Sequence, residues 1–261
     1  MSLHIQSVGT QGPDIVFLHG WGLSARIWES LAGRLKNRFR CHLVDLPGHG
    51  ESPAGATGLN NWLDAVVERI DRPAVFVGWS LGGLIALGAA RRYPERLQGL
   101  VLVATLARFI RERGNDYGMK QSAIEATRRG LSEDFSTTLS EFLMQQVLGE
   151  PGAARAVRSL RNDLMDQPPA QEALERGLDI LFEADFRDAL GDIEAPALVI
   201  AGARDRMAHP DGMAAMADAM PNAQFWRVER AAHAPFISHE KPFADRLATF
   251  VDACVQGGQA G

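Results

Sequence analysis

The sequence predicts an α/β fold, a mostly parallel, doubly wound sheet that carries one helical insertion. Three observations lead there. Short apolar runs, IVFL (15–18), CHLV (41–44), AVFV (74–77) and LVLV (100–103), are separated by helix-spaced stretches. Each run is near-continuous in apolar character, which suits parallel strands covered on both faces. From 108 to 187 no strand pattern occurs, only polar, helix-spaced segments broken by GEPG (149–152) and QPP (167–169), and PALVIAG (196–202) then resumes the strand pattern. With 261 residues and 46% hydrophobic composition, the chain can bury these elements around a single core. The expected division is 1–107 and 188–256 for the core, 108–187 for a helical lid, and 257–261 for a frayed tail.

The elements follow in order. Ser24 is placed to cap a helix whose apolar positions Ile27, Trp28, Leu31 and Leu35 share a face. Trp62, Leu63, Val66, Val67 and Ile70 form a second such face. LIALGAARRYP reads as a helix that ends before Pro94. After the insertion, MAAMADAM (213–220) is helical, QFWRV (224–228) is strand-like, and a last helix runs through about 255.

Composition narrows the function. A net charge of -5 disfavours a general nucleic-acid binder. Cys41 and Cys254 make neither a metal spacing nor a disulfide framework, no His/Cys/carboxylate cluster stands at ligand spacing and G-x-G-x-x-G is absent, so no metal and no cofactor are expected. The start, MSLHIQSVGTQGPDIVFLHG, lacks a basic region followed by an apolar run, and no stretch is long enough to span a membrane. A cytoplasmic, monomeric protein is the expectation.

In a doubly wound sheet, ligands bind where the strands end. After AVFV comes GWSLGG (78–83), a G-x-S-x-G between strand and helix that projects the Ser80 hydroxyl near a helix N-terminus. After IVFL comes HGWG (19–22), whose backbone can approach a ligand closely. An acyl-transfer site needs two N–H donors for a developing oxyanion, and Leu81 and Trp21 are the expected pair. The serine needs a base and the base an orienter. Asp205 in GARDRMA (202–208) follows a strand, and His233 follows QFWRV. Asp192 precedes its strand and would lie at the wrong end, Asp211 suits helix capping, and His239 falls where the last helix begins. His19, Asp45 and His49 are expected to brace loops.

Taken together, Ser80 in GWSLGG, Asp205 in GARD, His233 in AAHAPFISH and the upstream HGWG resemble the α/β-hydrolase superfamily over nearly the whole chain. LHGWGLSARIW, HLVDLPGHGES, GWSLGGLIAL with YPER, and AAHAPFISHE resemble more closely the pimeloyl-[acyl-carrier-protein] methyl ester esterases of biotin synthesis. That resemblance implies a serine carboxylesterase with the triad Ser80, Asp205 and His233 and oxyanion contacts from Trp21 and Leu81. It also implies a substrate-contacting stretch at Phe142, Leu143, Met144, Gln145 and Gln146. Its partner would be an acidic acyl carrier protein bearing the substrate, for which Arg155, Arg158 and Arg161 offer a basic helical face. Thr137 and Glu141 stand where a more basic docking helix is expected, so that surface departs from the pattern. A generalist short-chain carboxylesterase and a non-catalytic ligand receptor on the same fold are the competing readings.

Overall fold

The apolar runs become the inner strands of a seven-stranded sheet, ordered β1-β3-β2-β4-β5-β6-β7 among the described residues. The structure, a computed structural model, describes residues 2–146, 161, 164 and 167–257. The strands are β1 (Ile5–Val8), β2 (Asp14–Leu18), β3 (Arg40–Val44), β4 (Ala74–Trp79), β5 (Leu97–Val103), β6 (Ala197–Gly202) and β7 (Ala223–Val228). β1 is antiparallel to β3, and every other pairing is parallel. β1, the polar IQSV, is absent from the sequence expectation because an edge strand that is half exposed needs no apolar run.

Alternate residues of each inner strand feed opposite cores. Val16, Leu18, Phe76 and Leu100 pack on one face, and Ile15, Phe17, Val75, Val77 and Val101 on the other. The first face is covered by α2 (Gly58–Val67) and α3 (Leu81–Arg92), the second by α1 (Glu29–Leu35) and the last helix. Burial on both sides explains the unbroken apolar runs. Cys41 and Cys254 lie in this second core, where burial pushes their thiols up to about 12 and about 11, so neither is a ready thiolate.

Between β5 and β6 stand α4 (Gln121–Glu133), α5 (Phe135–Gln146) and α6 (Gln171–Glu183). The chain leaves and rejoins the core at one place, where Arg108 bridges Asp185 and the Phe186 N–H donates to the Ala107 carbonyl at 2.9 Å. After β6 come α7 (Pro210–Asp218), the short α8 (Pro235–Ser238) and α9 (Glu240–Gly257). Residues 258–261 of the expected frayed tail lie outside the described residues. Among the described residues, no helix is long and apolar enough to cross a membrane.

Two capping expectations are corrected. Ser24 makes no side-chain cap; Asp45 Oδ1, from another loop, accepts the Ala25 N–H at 2.7 Å and holds the start of the 3₁₀ turn Ala25–Trp28 that runs into α1. A carboxylate delivered across space does there what a local hydroxyl does in an isolated helix. At α7 the capping group is His209, whose Nδ1 accepts the Asp211 N–H at 3.2 Å, while Asp211 itself pairs with Arg227 at 3.3 Å. Pro210 occupies the first helical position, which puts the cap one residue before it and Asp211 one turn-position too late.

β2 leads leftward to β3 in the sheet, whereas β4 leads rightward to β5. The order reverses between β2 and β4, which lie side by side with Leu18 opposite Gly78. HGWG and GWSLGG therefore emerge next to each other at the switch point, where such sheets bind ligands.

Candidate active site

Ser80 sits between β4 and α3 with φ 54° and ψ -116°, a left-handed conformation that costs a non-glycine residue energy and occurs where the surroundings enforce it. The enforcement is visible. The Ser80 N–H donates to the Val103 carbonyl at 3.0 Å, and the Ser80 carbonyl accepts from Gly83 N–H and from the Thr105 hydroxyl, each at 2.9 Å. The glycines of the turn leave room for it. A Cβ on Gly82 would stand 2.4 Å from the Leu18 carbonyl oxygen, and one on Gly78 2.3 Å from that of Gly82. Gly82→Ala is therefore expected to destabilise the fold by about 3 kcal/mol, since only backbone could move aside; a denaturant midpoint unchanged from wild type would contradict this close approach. Thr105 was not singled out in the sequence, though its position just past LVLV, beside the β4 end, was the available signal.

Leu81 opens α3, so its N–H has no acceptor one turn back in the helix. The HGWG loop lies opposite. His19 braces it as expected: its Nε2 accepts the Leu46 N–H at 3.0 Å, which leaves Nδ1 to donate to the Gly20 carbonyl at 2.8 Å. Burial lowers the His19 pKa, so the ring is neutral. His49, 5.1 Å from it between ring centroids, is pushed down to about 3 by burial and by His19, which removes it from acid–base work near neutrality. Asp45 accepts the Glu51 N–H as well as that of Ala25, a loop-bracing role. Gly20 backs onto the Trp79 ring, 2.9 Å from where a Cβ would lie.

Asp205 and His233 come together. His233 Nδ1–H donates to Asp205 Oδ2 at 2.8 Å, and both side chains are essentially fully buried. Asp205 Oδ1 accepts the N–H groups of Met207 at 2.8 Å and Ala208 at 3.0 Å, so the loop fixes the carboxylate. With Nδ1 committed as donor, Nε2 of the neutral ring is the basic atom; it is buried and has no protein hydrogen-bond partner among the described residues. The His233 main chain is clamped too, by Trp79 Nε1–H donating to its carbonyl at 2.7 Å and by its own N–H donating to the Gln146 carbonyl at 3.1 Å. Gly202 ends β6 against this loop, with no space for a Cβ beside the Ala232 carbonyl. His239 stands apart between α8 and α9, bonded to the Ser238 hydroxyl at 2.8 Å. His239→Ala is expected to keep ester hydrolysis near wild type, with stability changed by less than about 1 kcal/mol; kinetics on a p-nitrophenyl ester check it, and loss of activity with the fold intact would reassign the base.

Helices of the insertion roof the site. Trp21 Nε1–H donates to the Leu174 carbonyl of α6 at 2.8 Å, and its ring meets Phe142 of α5 edge-on at 4.5 Å. Gly177 is the contact point that sequence reading missed: a Cβ there would fall 2.7 Å from the Trp21 ring and 3.2 Å from Leu81. The run 142–146 does not act as one surface. A helix turns about 100° per residue, so Phe142, Leu143 and Gln146 face inward while Gln145 and Met144, the latter 49% exposed, face solvent. Arg161 is exposed, and Arg155 and Arg158 lie outside the described residues. Arg128 and Arg176 both pair with Asp179 of α6, at 2.8 and 3.1 Å.

A serine held at a strained turn, a buried histidine whose Nε2 has no protein partner among the described residues and a fixed carboxylate bonded to that histidine's Nδ1 are the residue types that nucleophilic acyl transfer requires. The family model of the alpha/beta hydrolase fold matches residues 13–240. The chain is 40% identical to a pimeloyl-[acyl-carrier protein] methyl ester esterase of Chromobacterium violaceum, over 97% of this chain and 99% of that protein. It is likewise 40% identical to the esterase of the same name from Pectobacterium carotovorum, covering 97% and 99%. Among solved structures, an esterase from Exiguobacterium antarcticum superposes with a TM-score of 0.88 at 21% identity, covering 96% of this chain and 95% of that one, a likeness of fold.

Proposed function

Because the chain belongs to the alpha/beta hydrolase fold family, and to the branch that includes the pimeloyl-[acyl-carrier protein] methyl ester esterases, we propose that it hydrolyses the methyl ester of a pimeloyl chain carried on acyl carrier protein, a step of biotin synthesis. The products are methanol and the carrier-bound chain with a free terminal carboxylate. The observation that carries the chemistry is the 2.8 Å bond from His233 Nδ1 to Asp205, which leaves Nε2 as the base.

His233 Nε2 takes the Ser80 proton as Oγ attacks the ester carbonyl. The oxyanion is stabilised by the N–H groups of Leu81 and Trp21, each donor of this kind being worth roughly 3–4 kcal/mol in the transition state. His233 then protonates the departing methoxide oxygen. Water, deprotonated by the same nitrogen, attacks the acyl-serine; the C–O bond to Ser80 breaks and Oγ regains its proton. Asp205 holds the ring in the tautomer this needs and stabilises the imidazolium formed twice per turnover.

Phe142 and Leu143 are inward-facing groups of α5 suited to an acyl chain, being apolar and buried beside Trp21 and the second core. The acidic carrier docks on basic residues of the insertion, Arg161 with Arg155 and Arg158, and the enzyme works as a cytoplasmic monomer in this reading. The experiment compares wild-type hydrolysis of methyl-pimeloyl-carrier protein with that of a short p-nitrophenyl ester. A kcat/KM much higher for the carrier-bound ester supports the assignment. Activity on the short ester alone makes the protein a generalist carboxylesterase, and activity on neither favours a binding protein.

A further inference from the structure

The inner face of α5 crosses the whole site. Leu139 lies against Gly22 of the HGWG loop, Phe142 against the Trp21 ring, and one turn on, the Gln146 carbonyl accepts the His233 N–H at 3.1 Å. The helix thus runs from the HGWG loop to the main chain of His233. At its His233 end the Gln146 side chain is 96% buried (4% exposed), and Oε1 has no protein partner among the described residues. His233 Nε2 is in the same condition, on the residue to which Gln146 is bonded. Buried polar atoms without partners are rare and call for one, protein or not. The methyl-ester end of the substrate cannot serve Oε1. It carries carbonyl and ether oxygens and methylenes, and no N–H or O–H. The donor that must enter this space during turnover is the water of deacylation.

We infer that Gln146 is a positioning residue for the second half of the reaction: Oε1 accepts one hydrogen of the attacking water while His233 Nε2 takes the other. The water oxygen forms the bond to the acyl carbon, its proton passes to Nε2, and the acyl–Oγ bond breaks as Ser80 recovers that proton. No other reactant is needed. Acylation does not use the contact, since the first step consumes no water. This rests on Ser80, Asp205 and His233 being the hydrolytic triad.

The experiment is pre-steady-state hydrolysis of p-nitrophenyl acetate by wild type, Gln146→Met and Gln146→Glu, with intact-mass detection of acyl-enzyme. Methionine matches glutamine in length and lacks the acceptor. The expected result is kcat reduced about tenfold in Gln146→Met, the scale of one lost hydrogen bond, with the burst rate and kcat/KM held and acyl-Ser80 accumulating. Gln146→Glu restores an acceptor and so recovers kcat, and its carboxylate favours the imidazolium, moving the rising limb of the kcat–pH profile upward. A fall in kcat and kcat/KM together without acyl-enzyme, no change in either, or a Gln146→Glu variant that recovers nothing would overturn the inference. Ser80→Ala runs alongside: if it turns over as wild type does, the triad reading itself fails, whatever Gln146→Met does.

Discussion

Ser80→Ala is expected to lower kcat for ester hydrolysis on the order of 10⁶-fold, the scale seen when a serine triad loses its nucleophile. The fold should survive, because the bonds that hold the turn use the Ser80 main chain: its N–H to Val103 and its carbonyl to Gly83 and Thr105. Removing Oγ breaks none of them. His233→Ala should give a loss of the same order, and the double variant should be little worse than either alone, since the two side chains act as one unit. Losses that multiply would mean that Ser80 and His233 serve separate processes. Steady-state kinetics with thermal melts of each variant decide between these outcomes.

Asp205→Asn is expected to cost about 10⁴-fold in kcat with little change in the melt. The geometry says why the loss is large. Asp205 Oδ1 is committed to the N–H groups of Met207 and Ala208. An asparagine in that loop keeps its amide oxygen on those donors, which turns its NH₂ toward His233 Nδ1. The ring then accepts at Nδ1 and carries its hydrogen on Nε2, the wrong tautomer to receive the Ser80 proton. Nε2 becomes a donor where a base is required. A variant within about tenfold of wild type would contradict the assignment of Asp205 as orienter rather than loop anchor.

Much of this was legible in the sequence for a physical reason. Parallel strands covered on both faces must be apolar at every position, so β2, β4, β5 and β6 announce themselves. Motifs at strand ends follow from topology, and that is how Ser80, Asp205 and His233 could be picked from one chain before any geometry. His19 could be read as a loop brace for the same reason. What escaped depends on contacts between distant segments. Asp45 reaches across to the start of the Ala25–Trp28 turn, Thr105 reaches back to the Ser80 carbonyl, and Gly177 is small because Trp21 lies against it. No spacing rule encodes those. The inward and outward parts of 142–146 follow from helical periodicity, which puts Phe142 and Leu143 on the same face as Leu139.

The most direct measurement is labelling with a fluorophosphonate, followed by peptide mapping, for wild type, Ser80→Ala and His233→Ala. The account predicts one phosphonyl group per chain on the peptide that contains Ser80, none on the Ser80→Ala protein, and much slower labelling without His233. Folded wild-type protein that stays unlabelled, or that carries the adduct on another residue, would contradict an activated nucleophile at the turn between β4 and α3.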